Sequence, residues 1–300
     1  MKHIFIINPV SGHGRSKKLV PWIQAYFTQR ESEYEILLTT GKGHASALAS
    51  KYSVQDDVTV YACGGDGTAY EVLNGLQKGV PMAVIPSGTG NDFTRSFQYP
   101  KHLSDLKEIL IKTIEGRNVQ IDIGECNGLL FHNCMSMGLD SKVTIKAEQV
   151  GKKWPLPSKL VYIVSLFPTL KERKPVELRL TIDGKTTTHQ MILCAVMNGK
   201  FYGGGFKPTP DASVQDGKLD ICLVDYCKLP RILYLLPKYM VGTHIHAKEA
   251  HFYKVDQVDI HINEEVPCQI DGEIRYYQDY HFTMHPKYLT TRVPQDCDIR

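Results

Sequence analysis

Six consecutive residues, Cys63–Thr68 (CGGDGT), combine the residue types that bind phosphate. Three glycines lack the Cβ atoms that would keep a polyphosphate away from backbone amides. The apolar run Val58–Ala62 precedes them and a helical pattern, Ala69–Leu76, follows, so a helix N-terminus would also favour an anion. Asp66 adds a negative charge, which fits if a divalent cation bridges it to phosphate or if it accepts a hydroxyl proton. The alternative is a tight turn with Asp66 as helix N-cap.

Two further loops of similar composition follow predicted strands. Pro86–Phe93 (PSGTGNDF) comes after Met82–Ile85, and Asn8–Gly14 comes after Ile4–Ile7. In an open parallel sheet, ligands bind beyond the carboxyl ends of strands, so the three loops are expected to converge on one crevice. Three such loops in one half of the chain favour a nucleotide site over three unrelated turns.

The elements that must position these loops differ between the two halves. Residues 1–122 alternate strand and helix patterns, which predicts a parallel α/β domain. Residues 123–285 contain short apolar runs separated by Asn-Gly or Asp-Gly pairs, which predict hairpins and an antiparallel, sandwich-like β domain. The Asn-Gly and Asp-Gly pairs begin at residues 127, 183, 216 and 271, and helical inserts are predicted near 157–171 and 230–241.

Composition excludes several classes of protein. A net charge of +3 is too small to indicate a nucleic-acid partner. The longest apolar run, Leu160–Pro168, is about half of a transmembrane span, so no membrane-spanning segment is expected. The eight cysteines mostly fall in apolar runs and no pair has the spacing of a zinc site, which predicts buried, reduced thiols in a cytoplasmic protein.

Taken together, the ordered motifs resemble the catalytic domain of the diacylglycerol kinase family, which includes bacterial lipid kinases and the sphingosine and ceramide kinases. The resemblance covers essentially the whole chain and is strongest to the small soluble bacterial members. Its motifs are Asn8–Gly12, Gly64–Thr68, Glu71–Leu76, Gly88–Phe93, Asn133–Asp140, Asn198-Gly199, Tyr202–Gly205, Pro208, Asp211-Ala212, Asp216–Asp220 and Asp271–Glu273. In this family the end of the chain returns to the first domain, so residues 286–300 are expected to do so.

The resemblance implies an ATP- and Mg²⁺-dependent lipid kinase, with residues 1–122 binding nucleotide and residues 123–285 binding the lipid at a membrane surface. Glu71 could orient the glycine loop or be an ordinary first-turn acid. Thr40 follows the predicted strand near 34–39 and could equally be a plain strand residue. The expected nucleotide contacts are Asn8, Thr40, Gly64, Gly65, Asp66, Gly67, Thr68, Glu71 and Thr89.

The resemblance also assigns the proton acceptor to Glu273, with Asp271 close by. Carboxylates at i and i+2 project to one side of a strand, so one could act as base while the other holds Mg²⁺ or raises its neighbour's basicity. Asp66 is a third candidate. A structural Mg²⁺ would be held by the Asp216 carboxylate and, counting along the family pattern, by the carbonyls of Ser213 and Lys218.

The sequence leaves the membrane-contacting segments, the oligomeric state and two alternative functions open. Arg231–Met240 and Lys152–Leu160 each mix apolar, aromatic and basic residues, which is typical of an interfacial segment but also of a helix packed on the β domain. A homodimer is one oligomeric state that the sequence allows. NAD kinases share the aspartate-containing glycine loop, although the Asn-Glu pair and the later Thr-Pro-Thr-Gly-Ser-like motif expected of them are not evident. A non-catalytic nucleotide-binding regulator is the third alternative.

Overall fold

The computed structural model describes residues 1–98, 105–154 and 158–299. The chain divides into two units, which are described separately below. The first contains Met1–Ile123 together with Pro286–Arg300, and the second contains Gly124–His285. The strand β6 (Arg117–Cys126) and the long strand β14 (Glu273–Val293) carry the chain from one unit to the other.

The first unit is a parallel α/β structure. Its strands are β1 (Lys2–Ile7), β2 (Tyr34–Leu38), β3 (Val58–Gly64) and β4 (Met82–Pro86), with the short β5 (Phe97–Gln98) paired to β15 (Asp298–Ile299). Its helices are α1 (Leu19–Phe27), α2 (His44–Ala49), α3 (Asp66–Gly75), α4 (Asp92–Arg95) and α5 (Leu106–Ile114). The helical spacing of Leu103, Leu106, Leu110 and Ile114 predicts a helix over about 103–115, and the start of that range lies outside the described residues.

Strand order places the predicted loops at one point of this sheet. The order is β4-β3-β1-β2, all parallel, and Thr291 and Arg292 at the end of β14 pair with β4. The chain therefore moves from β1 to β2 on one side and returns to place β3 on the other side of β1. The gap between β1 and β3 is a topological switch point, where open α/β sheets bind ligands.

Burial explains why these strands read as continuous apolar runs. Every residue of β3 and β4 is buried, because helices cover both faces of the parallel sheet. On one face, side chains of the strands pack with α1 and α5 in a single core. That core includes Phe5, Tyr61 and Ile85 from the strands, Leu19 and Ile23 from α1, and Leu110 from α5.

The second unit is built on antiparallel β-structure. Its strands are β6, β7 (Leu129–Phe131), β8 (Cys134–Gly138), β9 (Val176–Ile182), β10 (Lys185–Met197), β11 (Leu219–Asp225), β12 (Ala250–Val255), β13 (Gln257–Ile270) and β14 up to residue 285. Each of β10 and β13 pairs with β8 along one part and with β9 along another. The predicted fold class, a parallel α/β half followed by an antiparallel sandwich-like half, is confirmed.

Three of the four predicted hairpin turns form. Asn127-Gly128, Asp183-Gly184 and Asp271-Gly272 each have two consecutive positive φ angles, as a type I′ turn requires. The prediction at Asp216-Gly217 was wrong, because only Gly217 has a positive φ and the pair leads from a long loop into β11.

A helix that the sequence analysis omitted, α6 (Leu139–Lys153), follows directly from β8. Leu139, Val143 and Val150 are spaced for one helical face, so the signal was present, but the buried run of β8 continues into it without a turn residue other than Gly138. Two more helices, α7 (Ser158–Lys171) and α8 (Leu229–Val241), agree with the predicted inserts, although residue 157 lies outside the described residues. Within the described ranges, no helix is long and apolar enough to cross a bilayer.

Candidate functional site

In the first unit the two glycine loops contact each other through their backbones. The Gly64 carbonyl accepts hydrogen bonds from the amides of Ser87 and Gly88, both at 3.0 Å. A Cβ atom on Gly88 would lie 2.4 Å from the Gly65 Cα, and one on Gly65 would lie 2.8 Å from the Gly90 carbonyl oxygen. Side chains at these positions would separate the loops, so the close packing of the two loops is itself a reason for these glycines.

Asp66 joins the same two loops. Its Oδ2 accepts the Asp92 amide at 2.9 Å and its Oδ1 accepts the Phe93 amide at 3.2 Å. The alternative, in which Asp66 caps its own helix, does not hold, since the N-cap of α3 is Gly65 and the carboxylate instead satisfies amides at the start of α4. Both oxygens thereby hold the second loop in place, which is a positioning role.

The loop after β1 reaches both of these loops. The Asn8 side chain donates to the Thr68 hydroxyl at 3.3 Å, which bridges the switch point between β1 and β3. Gly12, His13 and Gly14 have φ angles of 57°, 55° and 84°, and a Cβ on Gly12 would lie 2.1 Å from the Ser87 carbonyl oxygen. The predicted convergence of the three loops is therefore observed.

Three residues that lie where these loops meet were not singled out from the sequence. Arg15 donates to the Pro86 carbonyl at 3.1 Å, so its exposed guanidinium is tethered at the end of β4. The hydroxyls of Ser16 and Ser87 lie 2.7 Å apart and are buried. The available signal was the cluster of basic residues Arg15, Lys17 and Lys18 directly after the glycine-containing loop.

Two other predicted nucleotide contacts, Glu71 and Thr40, lie next to α2. The Glu71 carboxylate accepts the amides of Gly43 at 2.8 Å and Ala45 at 3.1 Å, so it caps α2. Thr40 lies two residues beyond the end of β2, and both its amide and its hydroxyl lie 3.0 Å from the His44 Nδ1. Thr89 is exposed at the tip of the second glycine loop.

In the second unit, Asp271 is enclosed by donors. Its fully buried carboxylate accepts the backbone amides of His132, Asn133 and Cys134 at 2.8, 3.2 and 2.9 Å, and the His132 Nδ1 lies 2.9 Å away. Asn198 extends this network by donating to the His132 carbonyl at 2.8 Å. Asp271 thus organises the segment before β8, and His132 is a participant that the sequence analysis did not identify.

Glu273 has a different environment from Asp271. Asp271 lies in the turn with a φ of 46°, whereas Glu273 opens β14, so the premise that both project from one strand was wrong. The Glu273 side chain is 18% exposed, and its Oε2 lies 3.8 Å from the Arg275 guanidinium. The Glu273 side chain is therefore partly exposed although its Oε2 is buried, whereas the Asp271 side chain is fully buried.

The residues predicted to hold a structural Mg²⁺ form an ion-pair cluster instead. Asp216 accepts the Lys218 amide at 3.1 Å, and its Oδ2 lies 2.7 Å from the Lys254 ammonium. Lys254 also lies 3.6 Å from Asp220. The Ser213 hydroxyl accepts the Gln215 amide at 3.3 Å. An ammonium pairs with the only carboxylate of the predicted set in this structure, so the magnesium site stays a prediction and no role is derived from it.

An apolar cavity that is partly open to solvent lies in the second unit. Its wall includes Tyr162 and Leu166 of α7, Ile232, Leu235 and Tyr239 of α8, and Phe206, and it also contains an acid, Asp140, and a histidine, His244. Burial raises the pKa of Asp140 to about 7, although the Ser136 hydroxyl and the Ser141 amide oppose this. Asp140 is therefore largely a neutral acid below that pH.

Asp140→Asn is expected to change how stability depends on pH. Because the native pKa of Asp140 is raised from 3.8 to about 7, wild-type stability declines as pH rises through this window, by at most about 4 kcal/mol. Asparagine cannot ionise, so the unfolding free energy of the variant should rise relative to that of the wild type between pH 5 and pH 8.5. Urea unfolding of both proteins at these two pH values measures the difference.

Other groups with shifted pKa values do not affect the comparison between Asp140→Asn and the wild type. Asp220, whose pKa burial raises to about 6, acts in the same direction, while His3 and His244, whose pKa values burial lowers to about 4, act in the opposite one. All are present in both proteins and cancel in the difference. An equal gap between variant and wild type at the two pH values would mean that Asp140 is already ionised at pH 5.

Comparison with known proteins identifies the family. The profile of the diacylglycerol kinase catalytic domain matches residues 2–126, and that of the YegS C-terminal NAD kinase beta sandwich-like domain matches residues 133–293. A diacylglycerol kinase of Bacillus subtilis (strain 168) is 29% identical over 89% of this chain and 88% of its own length. One of Staphylococcus carnosus (strain TM300) is 27% identical over 97% and 94%.

Solved structures agree with these sequence matches. A diacylglycerol kinase structure from Bacillus anthracis str. Sterne has a TM-score of 0.72 at 22% identity, covering 97% of this chain and 96% of that one, which shows the shared fold. A second structure from that organism has a TM-score of 0.77 at 26% identity and covers 97% of both chains. The chain belongs to the diacylglycerol kinase catalytic-domain family, with a YegS-type β sandwich-like second domain, and is an enzyme of the lipid kinase class.

Proposed function

We propose that this chain transfers the γ-phosphoryl group of ATP, with Mg²⁺, to a hydroxyl of diacylglycerol or a related lipid. The apolar cavity of the second unit carries this proposal, because a lipid acceptor needs apolar space and a polar dinucleotide does not. The relatives named as diacylglycerol kinases, which match this chain over most of its length, support the same acceptor class.

The first unit is the proposed nucleotide-binding domain. Its three loops meet at the switch point of the sheet, and the amides at the start of α3 suit a polyphosphate. Gly67 supports this assignment, because a Cβ atom built there meets nothing within 4 Å, whereas the neighbouring glycines are closely packed. Asn8, Thr68 and Thr89 are the proposed side-chain contacts, and Arg15 is an added candidate. Mg²⁺ bound with the triphosphate would neutralise charge on the transferring group.

Gly67→Ala is expected to weaken ATP binding at least about 10-fold without destabilising the protein. The open space next to Gly67 is where the proposal places phosphate, so a methyl group would compete with it. Alanine is a better helix former than glycine, so the unfolding free energy should not fall. Calorimetric titration with a non-hydrolysable ATP analogue measures the affinity.

A matched control comes from another helix. A Cβ atom on Gly151 in α6 would lie 3.9 Å from its nearest neighbour, which is an ordinary van der Waals contact. Gly151→Ala should therefore leave nucleotide affinity unchanged. If Gly67→Ala binds the ATP analogue as tightly as the wild type, phosphate does not bind at this face of the glycine loop.

The second unit is the proposed lipid-binding domain. The cavity walls from α7 and α8 would take acyl chains, and Asp140, neutral below about pH 7, can donate a hydrogen bond to an ester or hydroxyl oxygen. The segment predicted over Arg231–Met240 belongs to α8. Its Ile232 and Leu235 are buried, so the interpretation as a packed helix holds for one face.

The exposed faces of α7 and α8 support the proposal that the enzyme acts at a membrane surface. Leu160, Val164 and Phe167 on α7 are between 45% and 56% exposed and follow helical spacing. On α8, Leu233 and Tyr234 are exposed as well. We propose that these side chains enter the interfacial region of a bilayer. The second predicted interfacial segment, Lys152–Leu160, falls partly outside the described residues.

Glu273 is the proposed general base. Of the two acids in the Asp271–Glu273 motif, Glu273 has the partly exposed side chain, and it would accept the proton of the attacking lipid hydroxyl. Asp271 and Asp66 are proposed as positioning residues, because backbone amides already engage their carboxylates. This assignment narrows the three catalytic candidates to one.

A panel assay tests the proposal and its alternatives. The purified chain is incubated with ATP, Mg²⁺ and mixed micelles of diacylglycerol, ceramide or monoacylglycerol, with NAD in a parallel reaction. Phosphorylation of a lipid is expected. Formation of NADP without lipid product would favour the NAD kinase alternative, and ATP binding without any product would favour a non-catalytic regulator.

A further inference from the structure

Two histidines and an aspartate from three adjacent strands meet at one end of the β-structure in the second unit. They are His189 on β10, Asp225 at the end of β11 and His251 on β12, and one potential ligand atom of each lies within 4.8 Å of the other two. Strand register puts them on one face. Asp225 pairs with Met191, two residues from His189, and His251 pairs with Leu223, two residues from Asp225.

The distances suit a tetrahedral ion. The His189 Nδ1 lies 3.4 Å from the Asp225 Oδ1, and the His251 Nε2 lies 2.7 Å from the Asp225 Oδ2. With metal–ligand bonds of about 2.0 to 2.1 Å, the edge of a tetrahedron is about 3.3 Å. The two contacts run to different oxygens of Asp225, so the carboxylate must turn to present one oxygen to both rings. The shorter contact must also open by about half an ångström when an ion replaces the proton shared by imidazole and carboxylate.

The surroundings orient the ligands and leave one direction open. The Thr187 hydroxyl lies 3.1 Å from the His189 Nε2, which fixes the ring in the manner typical of residues behind a metal ligand. The side chains of His251 and Asp225 are 34% and 36% exposed, so a water molecule can take a fourth position. Nearby backbone bonds, from Asp225 to Glu249 and from Tyr226 to Gln190, keep the three strands in register.

We infer that His189, Asp225 and His251 form a binding site for a divalent transition-metal ion, best suited to Zn²⁺. Two imidazoles and one carboxylate favour zinc over Mg²⁺, which prefers oxygen ligands. The ion joins the terminal strand β12 of the sheet to β11 and β10 and stabilises the folded unit by mass action. This site contains none of the residues proposed above for phosphoryl transfer.

The cysteines of the chain compete weakly for such an ion. Seven of the eight are buried, and burial raises the pKa of the partly exposed Cys227, which disfavours the thiolate that binds metal. The sequence offered no sign of the site because its ligands are separated by 36 and 26 residues and come from different strands.

Zinc titration of the metal-free full chain tests the inference. Zn²⁺ is titrated against a chromophoric chelator, and one high-affinity ion per chain is expected. His189→Ala and His251→Ala should each weaken binding by about 100-fold or more, and Thr187→Val by about 10-fold. Zn²⁺ should also raise the urea midpoint of the wild type but not of His251→Ala, a readout that does not depend on kinase activity.

A control histidine lies in the same unit. His281 pairs with Asp259 at 2.8 Å, but among the described residues it belongs to no group of three ligand atoms within 4.8 Å, so His281→Ala should bind Zn²⁺ like the wild type. Asp225→Asn serves as a third ligand variant, and unfolding curves without metal establish that each variant is folded. Equal zinc affinity in wild type and ligand variants, no high-affinity binding at all, or a Co²⁺ spectrum with thiolate charge-transfer bands would each overturn the inference.

Discussion

Glu273→Gln is expected to lower kcat for lipid phosphorylation by about 10²- to 10⁴-fold, the usual contribution of a general base. Glutamine matches glutamate in size but cannot take up the hydroxyl proton. Nothing in the proposal places Glu273 at the nucleotide, so the Kd for an ATP analogue should stay within a few-fold of the wild-type value. Steady-state kinetics on micellar lipid and calorimetric titration provide the two measurements.

Glu265→Gln is the matched control for that experiment. Glu265 is an exposed residue of β13 in the same unit, so its substitution makes the same chemical change without touching the proposed base. Its kcat should equal that of the wild type. A Glu273→Gln enzyme with kcat within a few-fold of the wild type would remove Glu273 from the base role.

Asp271→Asn is expected to reduce the free energy of unfolding by several kcal/mol. The carboxylate accepts three buried backbone amides, and an asparagine presents one acceptor oxygen and an NH₂ group that opposes the remaining donors. Each buried amide left without an acceptor costs about 1–3 kcal/mol. Urea unfolding followed by circular dichroism measures the loss.

Glu273→Gln also serves as the control for Asp271→Asn, because both residues flank Gly272 in one hairpin. Its partly exposed side chain should make it nearly as stable as the wild type. Should Asp271→Asn instead be inactive yet as stable as the wild type, Asp271 would have a chemical role and the division of labour between the two carboxylates would be reversed.

Much of the architecture followed from local patterns. The buried strands β1, β3 and β4 were visible as short apolar runs, and the glycine loops marked where each strand ends. Three hairpins followed from Asn-Gly and Asp-Gly pairs, because a type I′ turn requires two residues that tolerate positive φ. The sequence analysis did not predict the helix α6 because no turn separates it from β8, although its apolar residues have helical spacing.

The sequence by itself determined the two-part fold class and the position of the phosphate-type loops, because both depend on residues close together in the chain. Only the tertiary structure decided what the acidic side chains do. Asp66 binds amides 26 and 27 residues away, Glu71 binds amides 28 and 26 residues away, and Asp271 binds three that are more than 130 residues away. A carboxylate stabilises whichever donors the fold brings to it, and strand order, not local sequence, sets which donors those are.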